Sequence, residues 1–470
     1  MLAHIHKRAT LVVYALFLAL SFRPLGAAAQ GLDPATLLKP ATDTWPTYNG
    51  DYSGARFSTL NQINSRNVNL LTLAWAFHTR PLVIKSTPLE VNGILYFSAP
   101  DNVWAIDARF GRQIWHYQRT SEGDHIGHRG LGMYKNWLYF ATPDAHLVCL
   151  DAKDGSVRWI IELADVKMGR DHVIVGVSGD VTDIPGFLES IDPETGKIQW
   201  RWNSTPDPGQ PGSETWPKDS DAILHGGGMT WMTGTYDPEL NLIYWGTGNP
   251  NPVLAGEGRP GDNLYTCSIV ALNPDNGKLV WYFQPSPHDV HDWDAVETPV
   301  LFDSEFNGKR RKLLAQASRN SFFFLLDRTN GQHLVTAPFI DQTWASGVDS
   351  RGRPIAKPEA NPSPDGALVE PSSDGGTNWM APSFDPQTGL FYVNARRLFS
   401  VYYRTATGKP EGWGGRDRHV WGNSTLRALD YRTGKVVWNH ELGDGTSIAG
   451  ILTTAGRLLF TADNSGNLLA

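Results

Sequence analysis

The segment Pro287-His288-Asp289-Val290-His291-Asp292-Trp293-Asp294 is the densest run of ionisable side chains in the sequence. Asp292 and Asp294 lie two residues apart, a spacing that puts both carboxylates on one side of an extended chain. Two carboxylates held together raise each other's pKa unless a cation sits between them. Asn249, in Gly246-Thr247-Gly248-Asn249-Pro250, offers a neutral oxygen. Oxygen-only ligation of this kind suits a hard cation such as calcium. The same residues also read as a set of acids in turns, and the local sequence alone favours that reading.

A repeat sets the elements that must position these residues. Ala105-Ile106-Asp107…Gly111…Trp115 returns as Cys149…Asp151…Gly155…Trp159, Ser190…Asp192…Gly196…Trp200, Ala271…Asn273…Gly277…Trp281 and Ala428…Asp430…Gly434…Trp438. A copy without the tryptophan is Leu325…Asp327…Gly331…Val335. The tryptophan spacings are 44 (115 to 159), 41 (159 to 200) and 81 (200 to 281), the last being two units. A period near forty with strand signals predicts an all-β, eight-bladed β-propeller, each blade four antiparallel strands with indoles wedged between sheets.

Six blades end near residues 115, 159, 200, 281, 335 and 438, and a seventh begins at Ser447 and stops at Asn467–Ala470. Leu71–Phe77, around Trp75, reads as a closing strand with no blade before it. The pattern is that of an eight-bladed ring whose last blade is truncated: one domain over 30–470, incomplete at its C-terminal side. From Trp159 to His172 is only 13 residues, so the interval 160–171 has no room for an innermost strand, and one inner strand is expected to be missing.

Residues 1–29 combine Lys7-Arg8, the apolar run 11–20 and Ala27-Ala28-Ala29, the grammar of a secretory signal peptide cut after Ala29. The apolar run is too short to span a membrane comfortably, so no stable membrane insertion is expected. A formal net charge of -7 with no basic cluster argues against a nucleic-acid partner. Cys149 and Cys267 occupy equivalent apolar strands of different repeats and are expected as buried free thiols. No Cys-x-x-Cys-His occurs, so covalent haem is not encoded.

Several segments together resemble the pyrroloquinoline quinone (PQQ)-dependent alcohol dehydrogenase family. They are Trp45-Pro46-Thr47-Tyr48-Asn49-Gly50-Asp51 through Ser58, Gly226-Gly227-Gly228-Met229-Thr230-Trp231, Gly246–Pro250, Arg259-Pro260-Gly261-Asp262-Asn263, Ser318-Arg319-Asn320 and Asp327–Gly331. The resemblance runs in order over nearly all of 43–470. It implies a periplasmic propeller with quinone and a calcium or lanthanide ion in its central channel. Such an enzyme oxidises a small-molecule alcohol by hydride transfer to metal-activated quinone and passes electrons to an external acceptor such as cytochrome c.

Carried over by position, the resemblance makes Asp292 a metal ligand and the catalytic base. Asp294 matches an extra acid of lanthanide-using members, and Asn249 a further metal ligand. Arg129 would pair with a quinone carboxylate, and Arg319 would hydrogen-bond the reactive quinone oxygens. Ser178, Gly179, Asn378 and Trp379 would contact the cofactor, with Trp231 the floor beneath its ring. The sequence departs from the family pattern in places. Gly123-Asp124 stand where the family has adjacent cysteines, Lys85 and Val181 where it has glutamates, and Ile448 where it has a second ring-stacking tryptophan. Asp180 or Asp183 would substitute for the glutamate at Val181. Two other readings share the repeat: a non-catalytic periplasmic scaffold and a sugar dehydrogenase using the same quinone.

Overall fold

The structure, a computed structural model, describes residues 31–79, 84–121, 129–163, 172–179, 183–405, 412–444 and 447–470. The leader read at 1–29 and positions 123, 124, 180 and 181 lie outside these residues.

Where apolar and polar residues alternate between turns, the chain forms short antiparallel strands, and each repeat becomes its own sheet. Seven such sheets form among the described residues. The first (Leu89–Val91, Ile94–Ala99, Asn102–Asp107, Gln113–Gln118) and the second (Leu131–Tyr134, Trp137–Ala141, His146–Asp151, Val157–Glu162) have four strands in sequence order. The third has three: Val173–Gly176, Phe187–Ile191 and Ile198–Asn203. Its first strand is the one expected to be second in a blade, and no inner strand precedes it among the described residues.

The fourth sheet (Thr235–Asp237, Leu242–Gly246, Ile269–Leu272, Leu279–Phe283) and the fifth (Val300–Phe306, Lys309–Ala317, Phe322–Asp327, Gln332–Pro338) are again four-stranded. The sixth is built on two long strands, Leu390–Arg404 and Gly415–Asp430, flanked by Val436–Asp444, Ser383–Asp385 and Ala367–Val369. No α-helix occurs among the described residues, and none of their helices is long and apolar enough to cross a membrane.

Trp115, Trp200 and Trp281 do what the repeat predicts. Trp115 Nε1 donates to Ala152 O at 2.9 Å, Trp200 Nε1 to Pro274 O at 2.6 Å and Trp281 Nε1 to Arg328 O at 3.1 Å, each acceptor belonging to the next sheet's turn. The indole lies flat on the glycine of that turn. A Cβ on Gly155, Gly277 or Gly331 would fall 2.6–2.7 Å from the ring, and all three have φ between +68° and +74°. Glycine is required there both for close approach and for the left-handed backbone. The repeated acid has a local role, since Asp107 Oδ1 accepts Arg109 N–H and Asp107 O accepts Gly111 N–H, closing the turn.

Two expectations need correction or refinement. Leu71–Phe77 forms no strand. Trp75 still donates from Nε1 to Ala108 O at 3.1 Å and packs on Gly111, so the docking rule holds although no neighbouring strand pairs with this segment. The N-terminal region reaches the last sheet elsewhere, through Phe57–Ser58 paired in parallel with Thr453–Thr454. That sheet is completed by Leu458–Ala462 and Leu468–Leu469. Cys149 and Cys267 are both buried and free, as expected.

Candidate functional site

Asp289 organises the acidic segment. Its Oδ2 accepts the backbone N–H of His291 at 3.3 Å, Asp292 at 2.9 Å and Trp293 at 3.2 Å. The nest turns the chain so that Asp292 adopts a φ of +69°, a conformation that disfavours residues with a Cβ by about 1–2 kcal/mol. The strand-like alternation expected for Asp292 and Asp294 is therefore replaced by a left-handed turn. Both carboxylates nonetheless converge on one guanidinium: Arg319 Nη1 donates to Asp294 Oδ2 at 2.6 Å and Arg319 Nη2 to Asp292 Oδ2 at 3.2 Å. Arg319 sits in the tight turn Ser318–Ser321 that links two strands of the fifth sheet.

The glycine run brings the next two residues in. Gly226, Gly227 and Gly228 all have φ near +70 to +90°, and a Cβ on Gly227 would lie 2.4 Å from Asn249 O. Gly228 N–H donates to that carbonyl at 2.7 Å. The backbone N–H of Asn249 in turn donates to Asp294 Oδ1 at 2.6 Å, while its side-chain Nδ2 donates to Pro250 O at 3.2 Å. Trp231 follows the glycines, and its Nε1 donates to Asp294 Oδ2 at 2.8 Å.

Arg129 is buried, with its guanidinium carbon 4.7 Å from the Trp231 ring centroid and 4.9 Å from that of Trp379. Both indoles pack with Tyr48, Met232, Val296 and Ala381. Arg129, Trp231, Asn249, Asp292, Asp294, Arg319 and Trp379 thus form one continuous contact chain. Asn378 adjoins it: its Oδ1 accepts Trp379 N–H at 2.8 Å and its Nδ2 donates to Asp374 O at 3.0 Å. Ser178 is exposed and Gly179 half-buried at φ +143°. They join the site through Val177, whose backbone pairs with Thr230 beside Trp231. Ile448 is 60% exposed and supplies no ring. Asp183 is hydrogen-bonded to His225.

Burial opposes the charge on Arg319, but Asp292, Asp294 and Glu297 outweigh it and hold its pKa above the ordinary value. Glu297 is 3% exposed, and its carboxyl has no side-chain hydrogen-bond donor among the described residues. Burial pushes its pKa well up, which favours the neutral acid. Asp292 and Asp294 share the one guanidinium of Arg319, and a hard cation beside them would supply a second positive partner.

Sequence reasoning missed Asp289, Glu297 and Arg396. The offset of three from Asp289 to Asp292 is the signal of an Asx-type turn. Arg396 and Arg397 are adjacent on a strand, so one of them must point inward.

The chain matches the family described as glucose/ethanol/alcohol dehydrogenase, beta-propeller domain, over residues 45–159 and 166–340. It belongs to this family of PQQ-dependent dehydrogenases. It is 34% identical to quinoprotein alcohol dehydrogenase PedH of Pseudomonas putida, over 97% of this chain and 85% of that protein. It is 30% identical to the lanthanide-dependent methanol dehydrogenase of Methylacidiphilum fumariolicum, over 89% of this chain and 83% of that protein. Among solved structures, quinohemoprotein alcohol dehydrogenase from Comamonas testosteroni superposes with a TM-score of 0.85 at 33% identity, covering 93% of this chain and 72% of that one. A europium-containing methanol dehydrogenase superposes with a TM-score of 0.81 at 30% identity, covering 93% and 86%.

The residues present fit a planar anionic quinone and a hard cation. Arg319 Nε is buried with no hydrogen-bond partner among the described residues, a donor left over for a ligand. Two indole faces and the Arg129 guanidinium suit a flat carboxylate-bearing ring. The paired Asp292 and Asp294 oxygens suit the cation.

Proposed function

We propose that this chain oxidises a small alcohol with pyrroloquinoline quinone and a calcium or lanthanide ion, in the periplasm, and that a cytochrome c takes the electrons. The observation that carries the reading is the shared engagement of Asp292 and Asp294 by Arg319, with Trp231 bonded to the same Asp294 oxygen.

When bound, the quinone supplies the two-electron acceptor and the cation a Lewis acid. Asp292 takes the proton from the substrate hydroxyl at its carboxylate. Arg319 bonds to Asp292 and orients it, and its Nε–H, without a hydrogen-bond partner among the described residues, would be a donor for the quinone. Asp294 and Asn249 would offer the cation further oxygen ligands. Trp231 would form the floor under the ring, and Arg129, Ser178, Gly179, Asn378 and Trp379 would make its remaining contacts. Export through the leader read at 1–29 would place this chemistry in the periplasm.

Reconstitution tests the proposal. Purified protein is titrated with pyrroloquinoline quinone plus calcium or lanthanum, following quinone absorbance and alcohol-dependent dye reduction. Saturable binding with turnover is expected for at least one metal. Absence of binding with both metals would refute the assignment, and a preference for sugars over alcohols would move it to the sugar-oxidising branch.

A further inference from the structure

Arg396 is a buried cation that the roles above do not use. Its side chain is 5% exposed, on the long inner strand of the sixth sheet. Among the described residues the one carboxylate within 4 Å is Asp374, at 3.9 Å and 45% exposed. Its Nε has no hydrogen-bond partner there. The Nη2 group meets Met380 Sδ, a weak acceptor, at 3.2 Å and the Ser447 carbonyl at the long distance of 3.4 Å. A guanidinium has five N–H donors, and burying them so thinly satisfied is unfavourable unless something else fills the site. Burial pulls its pKa down to about 10.

Its location says what that something is. Arg396 N–H donates to Gly376 O at 2.7 Å, and Gly376 N–H donates to Arg319 O at 2.8 Å, so one turn separates the two arginines. Met380, which touches Arg396, directly follows Trp379, whose ring carries Arg129. Asp374, its distant partner, gives its carbonyl to Asn378. Arg396 therefore adjoins the residues proposed to hold the quinone, through Gly376 to Arg319 and through Met380 to Trp379.

We propose that Arg396 is a third guanidinium of this site and receives a carboxylate of the bound ligand. The inference rests on the quinone reading above. Two sources present that chemistry: a carboxylate of the quinone itself, or one carried by an acidic alcohol substrate.

The first arm titrates quinone into the full chain with calcium and no alcohol, reading the quench of tryptophan fluorescence. Failure of the wild type to bind defeats the quinone reading, a result distinct from any effect of Arg396. Given wild-type binding, Arg396→Gln is expected to weaken the quinone about tenfold or more, with Arg396→Lys recovering part of the loss. The quinone trimethyl ester should then bind wild type and variant alike. The second arm compares an ω-hydroxy acid with its methyl ester in loaded enzyme. If the substrate is the source, Arg396→Gln raises KM for the acid alone and leaves quinone affinity unchanged. Unchanged affinity together with unchanged KM for both substrates overturns the proposal. Melting of the quinone-free protein supplies a third readout. Arg396→Met should melt at or above the wild-type temperature because it removes an undercompensated charge, whereas a fall of several degrees would assign Arg396 to the framework and also overturn the proposal.

Discussion

Asp289 Oδ2 accepts the backbone N–H of Asp292 at 2.9 Å, and Asp292 is held at a φ of +69°. One carboxylate thus fixes the backbone beneath another. Asp289→Ala should free three N–H groups and let Asp292 relax toward ordinary φ, lowering kcat about 100-fold with little change in KM. Asp289→Asn retains an acceptor oxygen and should stay within about tenfold of wild type. Steady-state kinetics on reconstituted protein distinguish the two, and equal losses would show that the nest does not set Asp292.

Removing the proposed base is a separate matter. Asp292→Asn keeps a hydrogen-bonding side chain but cannot take a proton, so kcat/KM should fall by about 10²–10⁴. Quinone binding, read by fluorescence quenching without alcohol, should persist. Retained turnover would move the base elsewhere.

Asp294 accepts Arg319, Trp231 and Asn249 N–H groups at once. Asp294→Ala should lower the response to lanthanum more than the response to calcium in the reconstitution assay, since the more highly charged ion gains more from a second carboxylate. Equal losses would make Asp294 a framework residue.

Two buried groups give the chain opposing pH dependences. Burial lowers the pKa of His291 from 6.5 to about 4, against a raising hydrogen bond to Ala360. Between those values the unfolded chain binds more protons, so this group adds stability as pH rises, up to ~3 kcal/mol. Burial raises Asp289 from 3.8 to about 6. In that window the folded chain holds the proton, so Asp289 removes a similar amount as pH rises. Relative to wild type, His291→Phe should gain melting temperature toward about pH 4, and Asp289→Asn should gain toward about pH 6. Parallel melting curves across this range would contradict both assignments.

The tryptophan–glycine contact can be isolated by a cycle. Gly331→Ala puts a methyl 2.6 Å from Trp281 at φ +74° and should destabilise by ~2–4 kcal/mol. Trp281→Ala should cost ~3–5 kcal/mol. In the Trp281→Ala background the glycine substitution should cost only the backbone strain, ~1–2 kcal/mol. Additive losses in chemical denaturation would mean that ring and turn do not meet.

What was legible in the sequence followed from local rules. The turn acid, the left-handed glycine and the indole on the strand that follows are all encoded within one repeat, so the blades could be read in advance. Strand pairing at Leu71–Phe77 could not, because a strand needs a neighbour that a local pattern does not specify. The spacing of Asp292 and Asp294 pointed to a shared partner, but the route was misread: the nest on Asp289 replaces the extended chain. Arg396 was invisible because its neighbours come from Gly376, Met380 and Ser447, on segments far apart in sequence.

Three of the repeat's indoles are fastened to the turn of the next sheet, Trp115 to Ala152, Trp200 to Pro274 and Trp281 to Arg328. The unit that repeats in the sequence is therefore out of phase with the unit that melts. A chain cut just after a tryptophan strands an indole without its seat, whereas a cut between the turn glycine and the strand that follows it leaves seat and occupant on the same piece. No single blade is self-sufficient, so the sheets are bound to lose structure as coupled neighbours rather than one by one.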